Sequence, residues 1–423
     1  MAEADQADLL RTASLRDPKV SAYPNAYYEA MRLGDPVHQD PQLGSWLVSR
    51  YEDLQTAFAD PVTFAAGHGF RMLYARGFID EFREIMARDG GGFVEDAVPS
   101  DPPYHSRIRK LTEQAFTAHR VKTLEPTIAA MVGDMVERLA ERGQCDAVKD
   151  FAQPMTIQVI CEQLGFDQID GHQVERWSHA VMQQVSAMQT RETMLENAAQ
   201  MAELQLFLRA RLAEREDARH EDMTSDLVHA VTEDGSRLTT EEALSVTRAL
   251  MIAGNETTAT ALANLFFLLA TDPDQVAQLR AIADDDRLLS RWVEEFLRLY
   301  PPLRCISRGT TREVELGGKT IPADSHMLLL FASGNFDERE FACPHVFDPA
   351  RANLGRHLSF GAGSHRCVGI SLARMEIKVA AREIIRRLDN FKLEIAIEDI
   401  QFVPTISTRT MTSLPVSFSR RVT

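Results

Sequence analysis

The sequence predicts a mainly α-helical fold with minor β-sheets, and three observations carry this prediction. Apolar residues recur at helical spacing through most of the stretch from His105 to Asp234. One long apolar run follows the helix-capping signature Thr239-Thr240-Glu241-Glu242 and ends where Asp272-Pro273 stops the helix. Short runs that mix β-branched residues with turn formers lie towards the two ends of the chain.

The strand and loop regions are short. Residues 36–50 contain the turn formers Pro41 and Gly44 between β-branched residues, which predicts a small strand region. Residues 65–103 are expected to be rich in loops, because no Lys-Ser/Thr pair of a phosphate-binding loop follows the Gly90-Gly91-Gly92 cluster. Further short strands and turns are predicted over 313–332 and 392–418.

The predicted helices share an apolar residue at every third or fourth position. Before the long helix they are Tyr104–Thr117, Val121–Arg142, Met155–Leu164, Gln173–Met188 and Arg191–Glu214. After it they are Pro273–Ile282, Leu288–Leu299 and Val368–Leu388. The long helix, at 1.5 Å per residue, is about 48 Å long, which is enough to cross a whole domain.

Composition and charge exclude several classes of protein. The 423 residues are 44% hydrophobic and 26% charged, which is typical of a globular protein with a large core. A net charge of −16 argues against nucleic-acid binding. The five cysteines are scattered and form no CxxC pair, which favours a reducing compartment, so we expect a cytoplasmic protein.

We expect neither a signal peptide nor a membrane anchor. The first 17 residues are polar and mixed in charge, with no basic segment followed by an apolar one. Residues 249–271 are long enough to span a bilayer, but Glu256 lies among them. A central carboxylate costs about 2.5–3.5 kcal/mol on membrane insertion, so a buried helix is the better interpretation.

The most informative segment is the run from Phe360 to Gly369, which contains three glycines, His365, Arg366 and Cys367. An isolated cysteine is usually a small buried hydrophobe. Here a glycine-rich loop brings backbone close to a bulky object and directs N–H groups at the sulfur, and the positive end of the following helix dipole faces it as well. Both effects favour the thiolate that ligates metals.

This run resembles the haem-binding loop of the cytochrome P-450 family, Phe-x-x-Gly-x-His-x-Cys-x-Gly, at every fixed position. The resemblance implies a haem b cofactor, with Cys367 as the proximal thiolate ligand of its iron and Phe360 and Gly369 as parts of its binding loop. Thiolate ligation in this family favours cleavage of the O–O bond.

The long helix contains the hexamer Ala253-Gly254-Asn255-Glu256-Thr257-Thr258. From the residues alone, a polar contact between crossing helices and a proton-handling pair are equally good interpretations. The hexamer resembles the family's oxygen-activating motif, Ala/Gly-Gly-x-Asp/Glu-Thr-Thr/Ser. That resemblance implies that Glu256 and Thr257 deliver protons for oxygen activation.

Basic residues and one further acid complete the family pattern. Glu295 and Arg298, at i and i+3, resemble the family's Glu-x-x-Arg, with Arg351 as third partner, and are expected to form a structural lock. The resemblance implies that four groups bind the haem propionates, where charge-assisted bonds are strong. They are His105, Arg109, Arg308 and His365.

The substrate pocket is expected to be apolar, which predicts a hydrophobic organic substrate. Its expected lining is Phe93, Val94, Ile252, Ala253, Ile306 and Ile406. Arg71 and Arg76 offer an alternative, a bond to a substrate carboxylate, but solvated arginines are the preferred interpretation.

A basic island suggests an electron donor. No acidic residue lies between Asp348 and Glu376, and we expect Arg356, Arg366 and Arg374 to leave a positive rim near Cys367. Such a rim suits an acidic ferredoxin, or a flavodoxin, with its NAD(P)H-dependent reductase.

The resemblance covers residues from about Tyr51 to Phe418 and implies the triangular, mainly helical fold of this family as a single domain over 1–423, with residues 1–20 as a flexible N-terminus. It implies a monomeric monooxygenase that catalyses R–H + O₂ + 2e⁻ + 2H⁺ → R–OH + H₂O. Two alternatives remain. One is a peroxide-driven or non-oxygenating haem-thiolate enzyme, which the Glu256-Thr257 pair disfavours, and the other is a haem sensor without turnover.

Overall fold

The fold is described from a computed structural model of the chain, which describes residues 3–74, 78–116, 118–166, 168–186 and 190–421. Helices dominate it. In chain order they are α1 Glu3–Thr12, α2 Pro18–Ala22, α3 Asn25–Gly34, α4 Tyr51–Ala59, α5 Ala66–Tyr74, α6 Ile79–Asp89, α7 Tyr104–Ala115, α8 Ala118–Arg142, α9 Gln153–Leu164, α10 Gly171–Ser186, α11 Arg191–Asp217, α12 Met223–His229, α13 Thr240–Thr271, α14 Pro273–Ile282, α15 Asp286–Leu299, α16 Phe331–Gly334 and α17 Ile370–Arg387.

The strands are short and lie in three small sheets. They are β1 Val37–Gln39, β2 Trp46–Val48, β3 Phe64–Ala65, β4 Gln144–Asp146, β5 Ile306–Thr310, β6 Val314–Leu316, β7 Lys319–Ile321, β8 His326–Leu329, β9 Leu388–Leu393 and β10 Pro415–Arg420. The largest sheet has the order β1-β2-β8-β5-β3. A second has the order β4-β10-β9, and β6 pairs with β7. The predicted mainly α-helical fold with minor sheets is therefore confirmed.

The long helix α13 connects the two largest clusters of buried apolar residues. Thr239 caps it, since the Thr239 hydroxyl accepts a hydrogen bond from the Glu242 N–H at 3.2 Å while the Glu242 carboxylate accepts one from the Thr239 N–H at 2.8 Å. Residues of its first half share one cluster with α9, α10 and α11, and residues of its second half share the other with α8, α15 and α17. Within the described residues, no helix is both long enough and apolar enough to cross a membrane.

Residues 65–103 differ from the expected loop-rich stretch, since they contain α5 and α6. Glycines at 67 and 69 disfavour a helix by intrinsic propensity. A Cβ atom on Gly69 would lie 2.4–2.7 Å from the backbone of Arg308, so only glycine lets α5 pack directly on β5. Tertiary packing therefore overrides the local preference.

The N-terminal stretch that was expected to be flexible includes α1 and part of α2. Leu10, Ala13 and Leu15 are buried in an apolar cluster that also contains Tyr27 of α3 and Leu328 of β8. The following residues are attached to the body of the protein by Arg409, whose Nε donates to the Ala22 carbonyl at 2.7 Å.

A buried ion-pair triad joins α15 to the segment before Cys367. Arg298 donates from Nε and Nη2 to the two carboxylate oxygens of Glu295, each at 2.8 Å. Arg351 Nε donates to Glu295 Oε1 at 2.9 Å. The side chains of Glu295 and Arg298 are fully buried and that of Arg351 is 7% exposed. The three residues expected to form a lock are thus in mutual contact.

We predict that Glu295→Gln lowers the free energy of unfolding by about 3–5 kcal/mol, because it leaves two buried guanidinium groups without their carboxylate. Urea unfolding followed by far-UV circular dichroism measures this. The control is Arg142→Ala, which removes a pair with Asp150 (2.8 Å) whose side chains are 53% and 32% exposed, and should cost at most about 1 kcal/mol. Equal losses of unfolding free energy in the two variants would show that the buried triad stabilises the fold no more than an exposed ion pair does.

Candidate active site

The loop from Phe360 to Gly369 presents Cys367 immediately before α17. The Cys367 N–H donates to the Phe360 carbonyl at 2.9 Å, which closes the loop. Gly361 and Gly363 have positive φ angles of 66° and 68°, a conformation that favours glycine. A Cβ on Gly363 would lie 2.4 Å from the backbone oxygen of Phe58, so the loop is fitted closely against α4.

Cys367 is surrounded by many protein atoms, yet part of its surface is exposed. Burial raises the pKa of its thiol, while the Gly369 N–H and the charges of Arg109, Arg374 and Arg366 act in the opposite direction. Burial has the larger effect, whereas the Gly369 N–H lowers this pKa, which is the direction that the loop sequence predicts. A coordinated metal ion itself deprotonates a thiol.

Two histidines stack beside this loop. The rings of His105, on α7, and His365, in the loop, have centroids 3.8 Å apart at an interplanar angle of 28°. His105 is buried, and burial followed by the charge of Arg109 lowers its pKa. Burial, followed by the charges of His105 and Arg308, lowers the pKa of His365 to about 3.

The two arginines of the expected set lie next to the histidines. Arg308, on β5, is buried, and among the described residues it donates only to the Ser307 carbonyl, at 2.7 Å. Burial lowers its pKa to about 10. Arg109, on α7, pairs with Glu113 at 2.6 Å and donates to the Arg366 carbonyl at 2.7 Å. The structure therefore brings together all four residues that were expected to bind propionates.

This cluster fits an anionic group. Within the described part of the chain, His105 Nδ1 and His365 Nε2 are buried without a hydrogen-bond partner, and neither Arg308 nor these histidines pairs with a carboxylate. Buried polar atoms in folded proteins nearly always have partners. The carboxylates of a haem would supply both the missing acceptors and the missing charge, so these residues fit the expected cofactor.

On α13, the hexamer places its side chains on different faces. Ala253 is exposed although it lies in mid-helix, and Thr257, one turn later, donates its hydroxyl to the Ala253 carbonyl at 2.8 Å. Gly254 faces α9 instead, where a Cβ would meet Ile160 at 3.2 Å. The glycine therefore accommodates a neighbouring helix, whereas the sequence suggested room for a ligand.

Asn255 is buried and joins three helices. Its Oδ1 accepts from the Thr156 hydroxyl of α9 at 2.7 Å, and its Nδ2 donates to the Ser178 hydroxyl of α10 at 3.1 Å. The polar contact between crossing helices, one of the two interpretations of this motif, is thus present at Asn255. It leaves the neighbouring Glu256 uninvolved.

Glu256 is half-buried and points towards α10 and the 403–412 segment. Burial, with a smaller contribution from the negative charge of Glu175, raises the pKa of its carboxyl to about 7. A carboxyl with a pKa near the working pH can both donate and accept protons.

An apolar chamber of about 470 Å³ lies between α5, α6, α10, α11 and α13. Phe93 and Val94, two of the residues expected to line the substrate pocket, line this chamber, whereas Ile252 is packed in the core, Ile306 lies on β5, and Ile406 packs on the N-terminal cluster. The six expected residues do not share this chamber. Arg71 lines it, and Arg76 lies outside the described residues.

The sequence analysis missed several chamber residues. They include Ile79, Phe82, Met86 and Met201. The first three recur at i, i+3 and i+7, which is the amphipathic signal of a helix. The interpretation of residues 65–103 as rich in loops hides this helical signal.

The basic rim is smaller than expected. Arg374 pairs with Glu294 at 2.5 Å, and Arg356 with Glu340 at 3.1 Å. Arg366 is exposed, and no ion pair involving it occurs among the described residues. Arg366 is therefore the rim arginine whose charge is uncompensated.

Comparisons with known proteins all point to one family. The family model described as Cytochrome P450 matches residues 83–412. The chain is 31% identical to cytochrome P450 monooxygenase PikC of Streptomyces venezuelae over 95% of its length and 92% of that protein. It is 32% identical to 6-deoxyerythronolide B hydroxylase of Saccharopolyspora erythraea, covering 92% and 94% of the two chains. The solved structure of cytochrome P450 CYP109Q5 from Chondromyces apiculatus superposes with a TM-score of 0.83 at 30% identity, covering 97% and 99% of the chains.

We predict that the Glu256 carboxyl titrates near pH 7, because burial disfavours its charged form. Infrared spectra of wild type minus Glu256→Gln should show a protonated carboxyl band that is present at pH 5 and lost by pH 9. Glu242→Gln is the control. The bonds from Thr239 and Arg107 outweigh burial and lower the pKa of Glu242, so its carboxyl is ionised throughout. A Glu256 band already absent at pH 5 would refute the prediction.

Proposed function

The chain belongs to the cytochrome P450 family and is a monooxygenase with a haem b cofactor, and from this premise we propose that it hydroxylates a hydrophobic organic substrate with electrons from a separate ferredoxin-type donor. The observation that carries the proposal is the convergence of the Cys367 loop with a set of basic side chains, of which Arg308, His105 and His365 pair with no carboxylate among the described residues. The reaction would be R–H + O₂ + 2e⁻ + 2H⁺ → R–OH + H₂O. The similarity to 6-deoxyerythronolide B hydroxylase supports hydroxylation as its outcome.

We assign the cofactor's ligand and charges as follows. Cys367 would hold the iron through its sulfur, and the two stacked histidines with Arg308 and Arg109 would hold the propionates. Haem b, when bound, supplies the chemistry of oxygen reduction and insertion. The buried triad of Glu295, Arg298 and Arg351 would keep the Cys367 loop in register with α15 without contacting the reacting atoms.

Protons would come from α13. The Thr257 hydroxyl, which bonds to the carbonyl of the exposed Ala253, would face the space where the reaction takes place, and the preceding residue, Glu256, lies on another face of the helix. The raised pKa of Glu256 gives it a protonated fraction at neutral pH. This acid–alcohol pair supports oxygen-dependent turnover over the peroxide-driven alternative.

The substrate would enter through the apolar chamber. Its wall of Phe70, Phe82, Phe93, Val94 and Met86 suits an apolar body, and its volume of about 470 Å³ falls within the range of ligand pockets in proteins. Two charged residues at its edge neutralise each other, since Arg248 pairs with Asp96 at 2.5 Å. A hydrophobic substrate is therefore the best match.

Replacing Cys367 tests the ligand assignment. We predict that Cys367→His still binds haem, because imidazole also ligates iron, but loses the red-shifted Soret band of the reduced, CO-bound protein that thiolate gives. The control, Cys343→Ser, changes an exposed cysteine elsewhere and should retain the band. Persistence of the band in Cys367→His would mean that another residue is the ligand.

Replacing Thr257 tests the proton assignment. We predict that Thr257→Ala binds haem normally but converts roughly tenfold less of its electron supply into product, with the remainder appearing as hydrogen peroxide. Product formed per NAD(P)H consumed measures this. Thr247→Ala is the matched control, because Thr247 makes the same hydroxyl bond to a carbonyl one turn earlier (Ala243, 2.7 Å) on the same helix. Unchanged coupling in Thr257→Ala would remove Thr257 from the mechanism.

Salt dependence tests the donor. We predict that the second-order rate constant for reduction by an acidic ferredoxin falls as ionic strength rises, because screening weakens attraction to the basic rim. Arg366→Ala should lower this rate about two- to fivefold at low salt and flatten its salt dependence. Stopped-flow reduction measures both, with Arg142→Ala as control. A rate independent of salt would argue against charge-assisted docking.

A further inference from the structure

Glu256 lines a cleft of about 670 Å³. This cleft lies between α10, α11, α13 and the 403–412 segment. A neighbouring cavity of about 520 Å³ runs along α9 and shares Gln153, His172 and Glu175 with it. These three residues therefore stand where the two cavities adjoin.

Exposure decreases along the cleft towards Glu256. The side chain of His172 is 85% exposed and that of Glu175 is 44% exposed, and the His172 Nδ1 lies 3.6 Å from Glu175 Oε2. Glu256, on the opposite wall, is half-buried. A chain of ionisable groups thus leads from solvent into the protein.

The charged and titratable groups that face the cleft come from three helices. They are His172, Glu175, Arg176 and His179 on α10, Glu196 on α11, and Glu256 on α13. Among them, Glu175 is the one whose charge acts on Glu256, and it helps to raise the Glu256 pKa. The two carboxyls are therefore electrostatically coupled across the cleft.

We propose that Glu175, with His172 beside it, is the outer group of a proton path that reloads Glu256 from solvent. The proposal rests on the proposed role of Glu256 and Thr257, and adds the residue that supplies them. When Glu256 gives a proton to the Thr257 side, Glu175 takes one from solvent and passes it across the cleft. Both carboxyls return to their starting state, and the two protons that each turnover consumes come from water.

The position of Glu175 suits this role better than that of its neighbours. A relay group must contact solvent and also influence the acceptor, and Glu175 does both because it is half-exposed and coupled to Glu256. His172 beside it, with its Nδ1 3.6 Å from Glu175 Oε2, can hold the carboxylate at the mouth of the cleft. Glu175 is a positioning and relay residue, since it touches neither substrate nor cofactor.

The first measurement is the titration of Glu256 itself, in the haem-loaded protein, by the infrared difference described above. Glu175→Gln removes a like charge, so the Glu256 midpoint should move to lower pH. Glu162→Gln is the matched control. Glu162 lines only the neighbouring cavity, where its carboxylate accepts from Gln158 Nε2 at 3.0 Å, and its removal should leave the midpoint in place.

The second measurement is turnover in H₂O and D₂O with saturating donor. Glu175→Gln should slow the proton-dependent step about two- to tenfold and enlarge the solvent isotope effect, which is less than the 10²–10⁴-fold typical of a group acting directly on the reacting atoms. Glu175→Asp should recover most of the rate, because it restores a carboxyl at the mouth. Glu162→Gln should match wild type.

An unchanged isotope effect in Glu175→Gln would overturn the relay, even if the Glu256 midpoint moved. An unmoved midpoint would overturn the coupling on which the relay depends. Both results are separable from failure of the proposed function. Uncoupled turnover in Thr257→Ala, together with wild-type behaviour of Glu175→Gln, keeps the proposed function and rejects this inference.

Discussion

The structure depends on a concentration of positive and polar groups that the protein itself does not neutralise. His105, Arg308 and His365 come from a helix, a strand and a loop that are far apart in the sequence, and each is buried or half-buried. Burial lowers the pKa values of all three groups, and neighbouring positive charges lower those of the two histidines further, which means that the fold holds them together at a cost. An anionic cofactor removes that cost, so cofactor binding and stability of this region should be linked.

The ion-pair triad shows how differently the protein treats charges that have no role in binding. Glu295 is shared between Arg298 and Arg351, and the remaining guanidinium hydrogens go to backbone carbonyls such as those of Asn335 and Cys343. This network is saturated and buried, whereas the cluster beside Cys367 is not. Arg298 and Arg351 are satisfied by protein groups, whereas Arg308 and the two histidines pair with no carboxylate among the described residues. This contrast supports the proposed division between a structural lock and cofactor-binding groups.

The parts of the site that could be predicted from sequence are those whose chemistry is local in the chain. The Cys367 loop and the Glu256-Thr257 pair are contiguous runs, and the capping box of α13 spans only four residues. The chamber wall could not be found in this way, because α5 exists through the contact of Gly69 with the backbone of Arg308, a contact that local propensity cannot show. The thiol pKa of Cys367 likewise depends on burial, which opposes the effects that the loop sequence suggests.

Helix α13 runs through the core, and the residues of its hexamer make different contacts on its different faces. Gly254 lets α9 pack closely, Asn255 fixes α9 and α10, Thr257 bonds to the carbonyl of the exposed Ala253, and Glu256 lines the cleft. A carboxyl at this position would be fully ionised if it were solvated and fully neutral if it were deeply buried without access to water. Its partial burial opposite Glu175 keeps it between these limits, near a pKa of about 7, where it exchanges protons most readily at neutral pH. The packing of α13 therefore also sets the acidity of Glu256, the residue proposed to pass protons.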